Sequence, residues 1–202
     1  MSNKKPPCCK IVLLGDSGVG KTCLISRYLC GTFDNNCPTT NGASYATKEL
    51  ILENNQKIAL DIWDTAGQEK YKSLTKFFYK DASAAILVYD VAKKETFTNL
   101  KTYWVQQLKD YATKNIIIAV AGNKCDLYAN EQVTEDEAKE FADSIEASFE
   151  LTSAKSNSGV NDLYKSVAET FLNRGINNKN KEKNDIKLNK KDINNSKKGK
   201  CC

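Results

Sequence analysis

Residues 10–22 read KIVLLGDSGVGKT. The apolar run KIVLL has the look of a short buried strand, and it runs straight into a glycine turn. The turn, GDSGVGKT at 15–22, fits G-x-x-x-x-G-K-[ST] and opens a helix, which is the context the motif needs. Its glycines let backbone N–H groups wrap phosphate oxygens, and the helix N-terminus adds positive potential. Lys21 is placed to reach the β- and γ-phosphates, and Thr22 to offer its hydroxyl to Mg2+. Taken alone the loop indicates a nucleoside triphosphate, ATP or GTP.

Working outward, short apolar runs alternate with helical patterns. Strands are expected around SYATKELIL (44–52) and KIALDIWD (57–64), with Asn54-Asn55 as the turn between them. SAAILVYD (83–90) and NIIIAVAGNK (115–124) are continuous apolar runs, as in parallel strands covered on both faces. A last short strand is expected at SFELTS (148–153). Phe97, Leu100, Trp104, Leu108 and Tyr111 recur at spacings of three and four, one face of a helix. Thr134 with Glu137 forms a capping box ahead of Ala138, Phe141 and Ile145. Val160, Leu163, Val167 and Phe171 line a final helix. These stripes, Trp104 included, read as core and receive no functional role. The alternation predicts one three-layer α/β domain without internal repeats.

Two further motifs carry chemistry. NKCD (123–126) sits at the end of an expected strand, where ligands bind in open α/β sheets. A carboxylate at Asp126 accepts from two adjacent N–H donors of guanine. Adenine lacks that pair and would leave the acid unsatisfied. TSAK (152–155) comes after the next strand. In WDTAGQE (63–69), Asp64 suits an outer-sphere Mg2+ ligand, Gly67 can give its N–H to the γ-phosphate, and Gln68 can orient an attacking water.

GDSGVGKT, WDTAGQEKYKSLT, LVYD, GNKCD and TSAK, in this order, resemble the Rab family of the Ras superfamily of small GTPases. The resemblance covers about residues 9–174 and continues into the Cys-Cys end. It implies a six-stranded, mostly parallel sheet flanked by helices (a P-loop NTPase, Ras-like fold) and Mg2+-dependent GTP hydrolysis. By position it implies that Ser17, Gly18, Val19 and Gly20 line the phosphates beside Lys21, Thr22 and Cys23. Phe33 would pack on the guanine and Thr40 would bind Mg2+ in the GTP state. Asn123 and Asp126 would hold the base and Lys124 would stack on it, while Ser153, Ala154 and Lys155 would close the base pocket. Lys21, Gly67 and Gln68 form the implied catalytic set. The switch segments are expected at about 34–45 and 65–80. Tyr45, Trp63 and Phe78 match the aromatic triad that Rabs show to effectors, with local packing as the rival reading, above all for Phe78.

One departure stands in TTNGASY (39–45): Asn41 occupies a position where Rabs carry Ile and offer apolar surface to regulators and effectors. Thr40 is retained. The GAS at 42–44 leans toward the endocytic branch. No arginine in the switch segments is placed as a cis finger, so hydrolysis is expected to be slow alone and fast with an activating protein.

Composition sets the remaining bounds. The chain has 202 residues, 41% hydrophobic and 27% charged, with net charge +5. No apolar stretch approaches a membrane span. Nothing in MSNKKPP resembles a signal peptide, and Ser2 excludes N-myristoylation. Eight cysteines and no histidine, without zinc spacing, are expected to be reduced thiols; those at 8, 9, 23, 30, 37 and 125 read as small packing residues. Nine lysines face three acids in 175–202, a tail near +6 on a body near −1. Basicity confined to an Asn/Lys-rich tail argues against nucleic acid.

The expected organisation is a flexible N-terminus at 1–8, a GTPase domain at 9–174 and a disordered basic tail at 175–202. A C-a-a-X box is excluded because Gly199 stands where its cysteine would be. Terminal Cys201-Cys202 instead resembles the Rab end that takes two geranylgeranyl groups, and two chains anchor stably where one does not. The expected partners are guanine nucleotide, exchange factor, activating protein, GDP-dissociation inhibitor, prenylation escort and effectors, acting on a monomer. It is expected to cycle between cytosol and the cytoplasmic face of an endosomal or Golgi-type membrane. The rival readings are a GTP-binding scaffold that scarcely hydrolyses and a Ras-type signalling GTPase.

Overall fold

The structure, a computed structural model, describes residues 5–37, 40, 43–65, 78–79 and 81–175. Strands β1 (Cys8–Leu14), β2 (Ala43–Ile51), β3 (Lys57–Thr65), β4 (Ala84–Asp90), β5 (Ile117–Asn123) and β6 (Ser148–Thr152) form one sheet in the order β2-β3-β1-β4-β5-β6. Only β2 runs antiparallel, paired with β3 through a turn that puts Asn55 at φ 60°. The other neighbours are parallel. The six-stranded, mostly parallel sheet expected from the sequence is thus present.

Period-two alternation explains the layers. Ile11 and Leu13 of β1, with Ile86 and Val88 of β4, face one core, and Val12, Leu14, Leu87 and Tyr89 face the other. The first core is closed by α1 (Lys21–Cys30) and by α4, a helix over 160–175. Leu24, Ile25 and Tyr28 of α1 pack there with Val160, Leu163, Tyr164 and Val167 of α4, and the Tyr28 and Tyr164 rings stack with centroids 3.9 Å apart. The second core is closed by α2 (94–111) and α3 (Glu135–Ser144). β4 is buried along its whole length, which accounts for its unbroken apolar run.

Helix α2 departs from the simple amphipathic reading. It consists of Lys94–Asn99, a π turn at Leu100–Trp104, and Val105–Tyr111. The extra residue of the π turn rotates the last two turns of the helix about its axis. Val105 therefore joins Phe97, Leu100, Trp104 and Leu108 in the core, whereas Tyr111, expected on that face, is 42% exposed. The capping box at α3 is half made. Thr134 accepts from the Glu137 N–H at 3.3 Å, but the Glu137 carboxylate turns to Lys94 and Lys101 of α2. Two cations hold it more strongly than one backbone N–H. The cysteines divide as well: Cys9 is buried packing, while Cys8 and Cys30 are exposed.

A nucleotide cleft at the carboxyl ends of the strands

Strands β1, β3, β5 and β6 deliver their carboxyl ends to one cleft of about 360 Å³. The loop after β1 is shaped by its glycines. Gly15 lies so close to β4 that a Cβ would stand 2.1 Å from the Val88 carbonyl oxygen. Gly20 caps α1 at φ 98°, and its Cβ would stand 2.3 Å from Asn123 Nδ2. No larger residue fits either place without moving backbone or a buried amide.

Lys21, only 5% exposed, arches back over this loop. Its Nζ donates to the carbonyls of Gly15 at 2.7 Å and Asp16 at 2.9 Å. Burial pushes its ammonium down to about 8, against the pull of Asp64 and Asp16. Next to it, Thr22, Thr40 and Asp64 converge. Thr22 Oγ1 donates to Asp64 Oδ2 at 2.6 Å, Thr40 Oγ1 lies 3.0 Å from the same oxygen, and the two hydroxyls are 2.5 Å apart. Burial raises the Asp64 carboxyl above its ordinary value, with both hydroxyls and Lys21 opposing. Asp64 Oδ1 is buried without a hydrogen-bond partner among the described residues. A buried carboxylate oxygen in that state suits a cation or an ordered water.

The loops after β5 and β6 are braced to one another and to the loop after β1. Asn123, expected as a base ligand, gives Nδ2 to the Val19 carbonyl at 2.8 Å and takes the Thr152 hydroxyl at 3.3 Å. Lys124, in left-handed backbone at φ 68°, donates to the Gly18 carbonyl at 2.8 Å and pairs with buried Asp90 at 2.8 Å. Its side chain therefore crosses the cleft. The Ser153 hydroxyl donates to Asp126 Oδ1 at 2.6 Å and fixes that carboxylate. Phe33, Asp126, Ala154 and Lys155 line the same end.

Sequence reading placed Cys23 at the phosphates but missed Arg27 and Cys37 here. Arg27 donates Nε to the Ala154 carbonyl at 2.6 Å and Nη2 to the Lys155 carbonyl at 3.1 Å, so α1 carries the loop after β6. Its partners lie 127 and 128 residues away, and no spacing signals that. Cys23 and Cys37 both line the cleft and hydrogen-bond to one another; burial first, then Cys37, pushes the Cys23 thiol up to about 12.

On the outer surface Tyr45 and Trp63 are register partners across β2 and β3, with ring centroids 5.0 Å apart, and Phe78 lies 5.7 Å beyond Trp63. Tyr45 is 53% exposed, whereas Trp63 and Phe78 also pack against the second core. The triad is contiguous, and local packing accounts for part of it. Asn41, Gly67, Gln68, Cys201 and Cys202 lie outside the described residues.

Residues 10–173 match the Ras family. The chain is 46% identical to human Ras-related protein Rab-22A over 155 residues, 77% of this chain and 79% of that protein. It is 43% identical to human Ras-related protein Rab-31, over 79% of this chain and 80% of the relative. Ras-related protein RabJ of Dictyostelium discoideum is 42% identical over 81% of this chain and 63% of its own length. The chain belongs to the Ras family, in its Rab branch. It is a small GTPase of vesicle traffic, binding GTP and GDP and hydrolysing GTP, and the resemblance read from its motifs holds.

Proposed function

We propose that this Rab holds GDP or GTP with Mg2+ in the cleft at the strand ends and switches effector recruitment on a membrane. The observation that carries the proposal is the meeting of Thr22, Thr40 and Asp64 around a carboxylate oxygen that is buried and unpaired. Three oxygen donors, one anionic, suit a hard cation whose other ligands are water and phosphate. When bound, Mg2+ neutralises charge on the β- and γ-phosphates. Thr22 would hold it, Asp64 would act on it from the outer sphere, and Thr40 would join them in the GTP state. Thr40 is then a latch: its hydroxyl already reaches the other two, and losing the γ-phosphate removes its reason to stay.

Around the nucleotide, Lys21 turns its ammonium from the Gly15 and Asp16 carbonyls toward phosphate. Ser17, Gly18, Val19 and Gly20 present backbone N–H groups, and Gly67 adds its own. Cys23 closes the floor. At the base, Asp126 takes the guanine N–H pair, Asn123 fixes the phosphate loop beneath it, Lys124 and Phe33 cover its faces, and Ser153, Ala154 and Lys155 enclose it. Gln68 orients the attacking water. Single-turnover GTP hydrolysis by the native chain and Gln68→Leu, with and without an activating protein, tests this role. Equal rates under both conditions would remove Gln68 from the mechanism.

The finer cell biology rests on the sequence and the relatives. Exchange factors, activating proteins and effectors are the partners of a Rab, and Tyr45, Trp63 and Phe78 with Asn41 form the face offered to them. Cys201 and Cys202 carry two geranylgeranyl groups, delivered by a prenylation escort and masked by a GDP-dissociation inhibitor. The domain spans 9–174 and the basic tail is its tether. The likeness to Rab-22A and Rab-31, with Gly42-Ala43-Ser44, supports the endocytic side, on an endosomal or Golgi-type membrane. Imaging the tagged full-length chain beside Cys201→Ser/Cys202→Ser tests the anchor. A discrete compartment that turns diffuse in the variant supports it, and identical distributions refute it.

A further inference from the structure

Asp16, in the phosphate loop, is held from a direction the nucleotide motif does not account for. Its Oδ2 accepts from Asn99 Nδ2 at 2.7 Å, and its Oδ1 accepts from Trp104 Nε1 at 2.9 Å. Its main-chain carbonyl accepts from Lys21 Nζ at 2.9 Å. One residue of the loop is thus gripped at both ends, by α1 through Lys21 and by α2 through two side chains. Trp104 is fully buried, and a buried indole N–H without an acceptor is costly, so the contact constrains both partners.

The π turn makes this grip. Asn99 and Trp104 are five residues apart. In an unbroken α-helix five residues turn through roughly 500°, which leaves the two side chains about 140° apart. A π turn closes i→i+5 and brings such a pair onto one face. The turn runs over Leu100–Trp104, and the Val105 N–H bonds back to the Leu100 carbonyl. The helical irregularity therefore sits where both donors must aim at one carboxylate, in line with the habit of π turns to mark functional places.

The geometry points to Trp104 and Asn99 as positioning residues for the nucleotide, acting through Asp16. They touch no phosphate. They fix the residue that begins the loop, and with it the direction of the N–H groups at 17–20 and the resting place of the Lys21 ammonium. The inference rests on the cleft being the guanine-nucleotide site.

The test uses the full-length chain loaded with a fluorescent GDP analogue and chased with excess GDP at fixed Mg2+. Trp104→Phe keeps an aromatic ring but removes the donor together with the five-membered ring; Asn99→Ala, at a half-buried position, removes the other donor with little loss of packing. Each should speed GDP release about tenfold or more, the worth of one hydrogen bond to a charged acceptor. In an Asp16→Ala background, Trp104→Phe should add less than twofold. A purely structural Trp104 would give the same increment in both backgrounds. The Trp104 indole N–H resonance of ¹⁵N-labelled protein should move upfield in Asp16→Ala. Release within twofold of native in both single variants, or an indole resonance indifferent to Asp16, overturns the inference while the nucleotide site stands. A native chain that retains no GDP overturns both. If Trp104→Phe does not fold, Asn99→Ala decides.

Discussion

Two glycines of the phosphate loop share left-handed backbone but not surroundings, and that difference is measurable. Gly20 has φ 98° and Gly18 has φ 77°, yet a Cβ at Gly18 would meet nothing within 4 Å, whereas at Gly20 it would stand 2.3 Å from Asn123 Nδ2. Placing alanine in left-handed backbone costs about 1–2 kcal/mol. Reduced freedom of the unfolded chain returns about 0.4–1 kcal/mol. At Gly20 the methyl must also evict the Asn123 amide, which is 1% exposed and donates to Val19. Breaking that bond and leaving buried polar groups unpaired costs about 1–3 kcal/mol more. Gly20→Ala should therefore lose roughly 1–3 kcal/mol beyond Gly18→Ala. At about 2–4 °C per kcal/mol for a chain of this size, that is a further fall in Tm of about 2–12 °C. Because bound nucleotide adds stability by mass action, the melts are run both with saturating GDP and after stripping with chelator. Gly31→Ala, at the C-cap of α1 with φ 70° and open space around it, supplies the backbone cost outside the cleft. If Gly20→Ala melts within about 2 °C of Gly18→Ala in the stripped form, Asn123 does not brace the loop as described.

Three other perturbations separate the parts of the site. Arg27→Lys keeps the charge but not the fork that spans the Ala154 and Lys155 carbonyls; loss of about 1–2 kcal/mol of loop restraint should speed GDP release roughly tenfold in a chase assay. Asp64→Asn should abolish the slowing of GDP release by Mg2+ and yet raise Tm without nucleotide, because burial lifts the Asp64 carboxyl and its charge is a cost in the empty fold. Opposite signs in the two assays are the signature, and a fall in both would refute the assignment. Glu150 is raised above its ordinary 4.5 by burial first and then by Asp162 and Glu135. A raised folded value means stability that is full below 4.5 and lost as pH climbs through it, so Glu150→Gln should melt higher than native at about pH 7 and lose that advantage toward about pH 4.

How far the sequence reached depended on how local each feature was. The apolar runs of β1 and β4 depend only on neighbours in the chain, and both were legible. So were the motifs, because each sits directly after a strand whose end the sheet must bring to the cleft. The features that escaped were contacts set by tertiary placement. The Glu137 side chain satisfies the capping pattern on paper, but Lys94 and Lys101 arrive from α2 and take it. The α2 stripe keeps helical spacing through Trp104, so nothing in the pattern marks the π turn until Tyr111 falls off the face.

Asn123 shows the same limit at the heart of the site. Its motif assigns it to the base, while its amide is spent on the Val19 carbonyl 104 residues earlier, and Lys124 reaches Gly18 from the same strand end. The loop after β5 is therefore a strut for the loop after β1, joined by Trp104 and Asn99 from α2, while Arg27 of α1 holds the loop after β6. A site braced in this way does not divide into a base half and a phosphate half. Perturbing any strut shifts where the phosphate-binding N–H groups point. Loss of nucleotide is then the expected common phenotype of changes at residues that touch no nucleotide, and coupling between variants, rather than the size of any single effect, is what distinguishes the struts from the ligands.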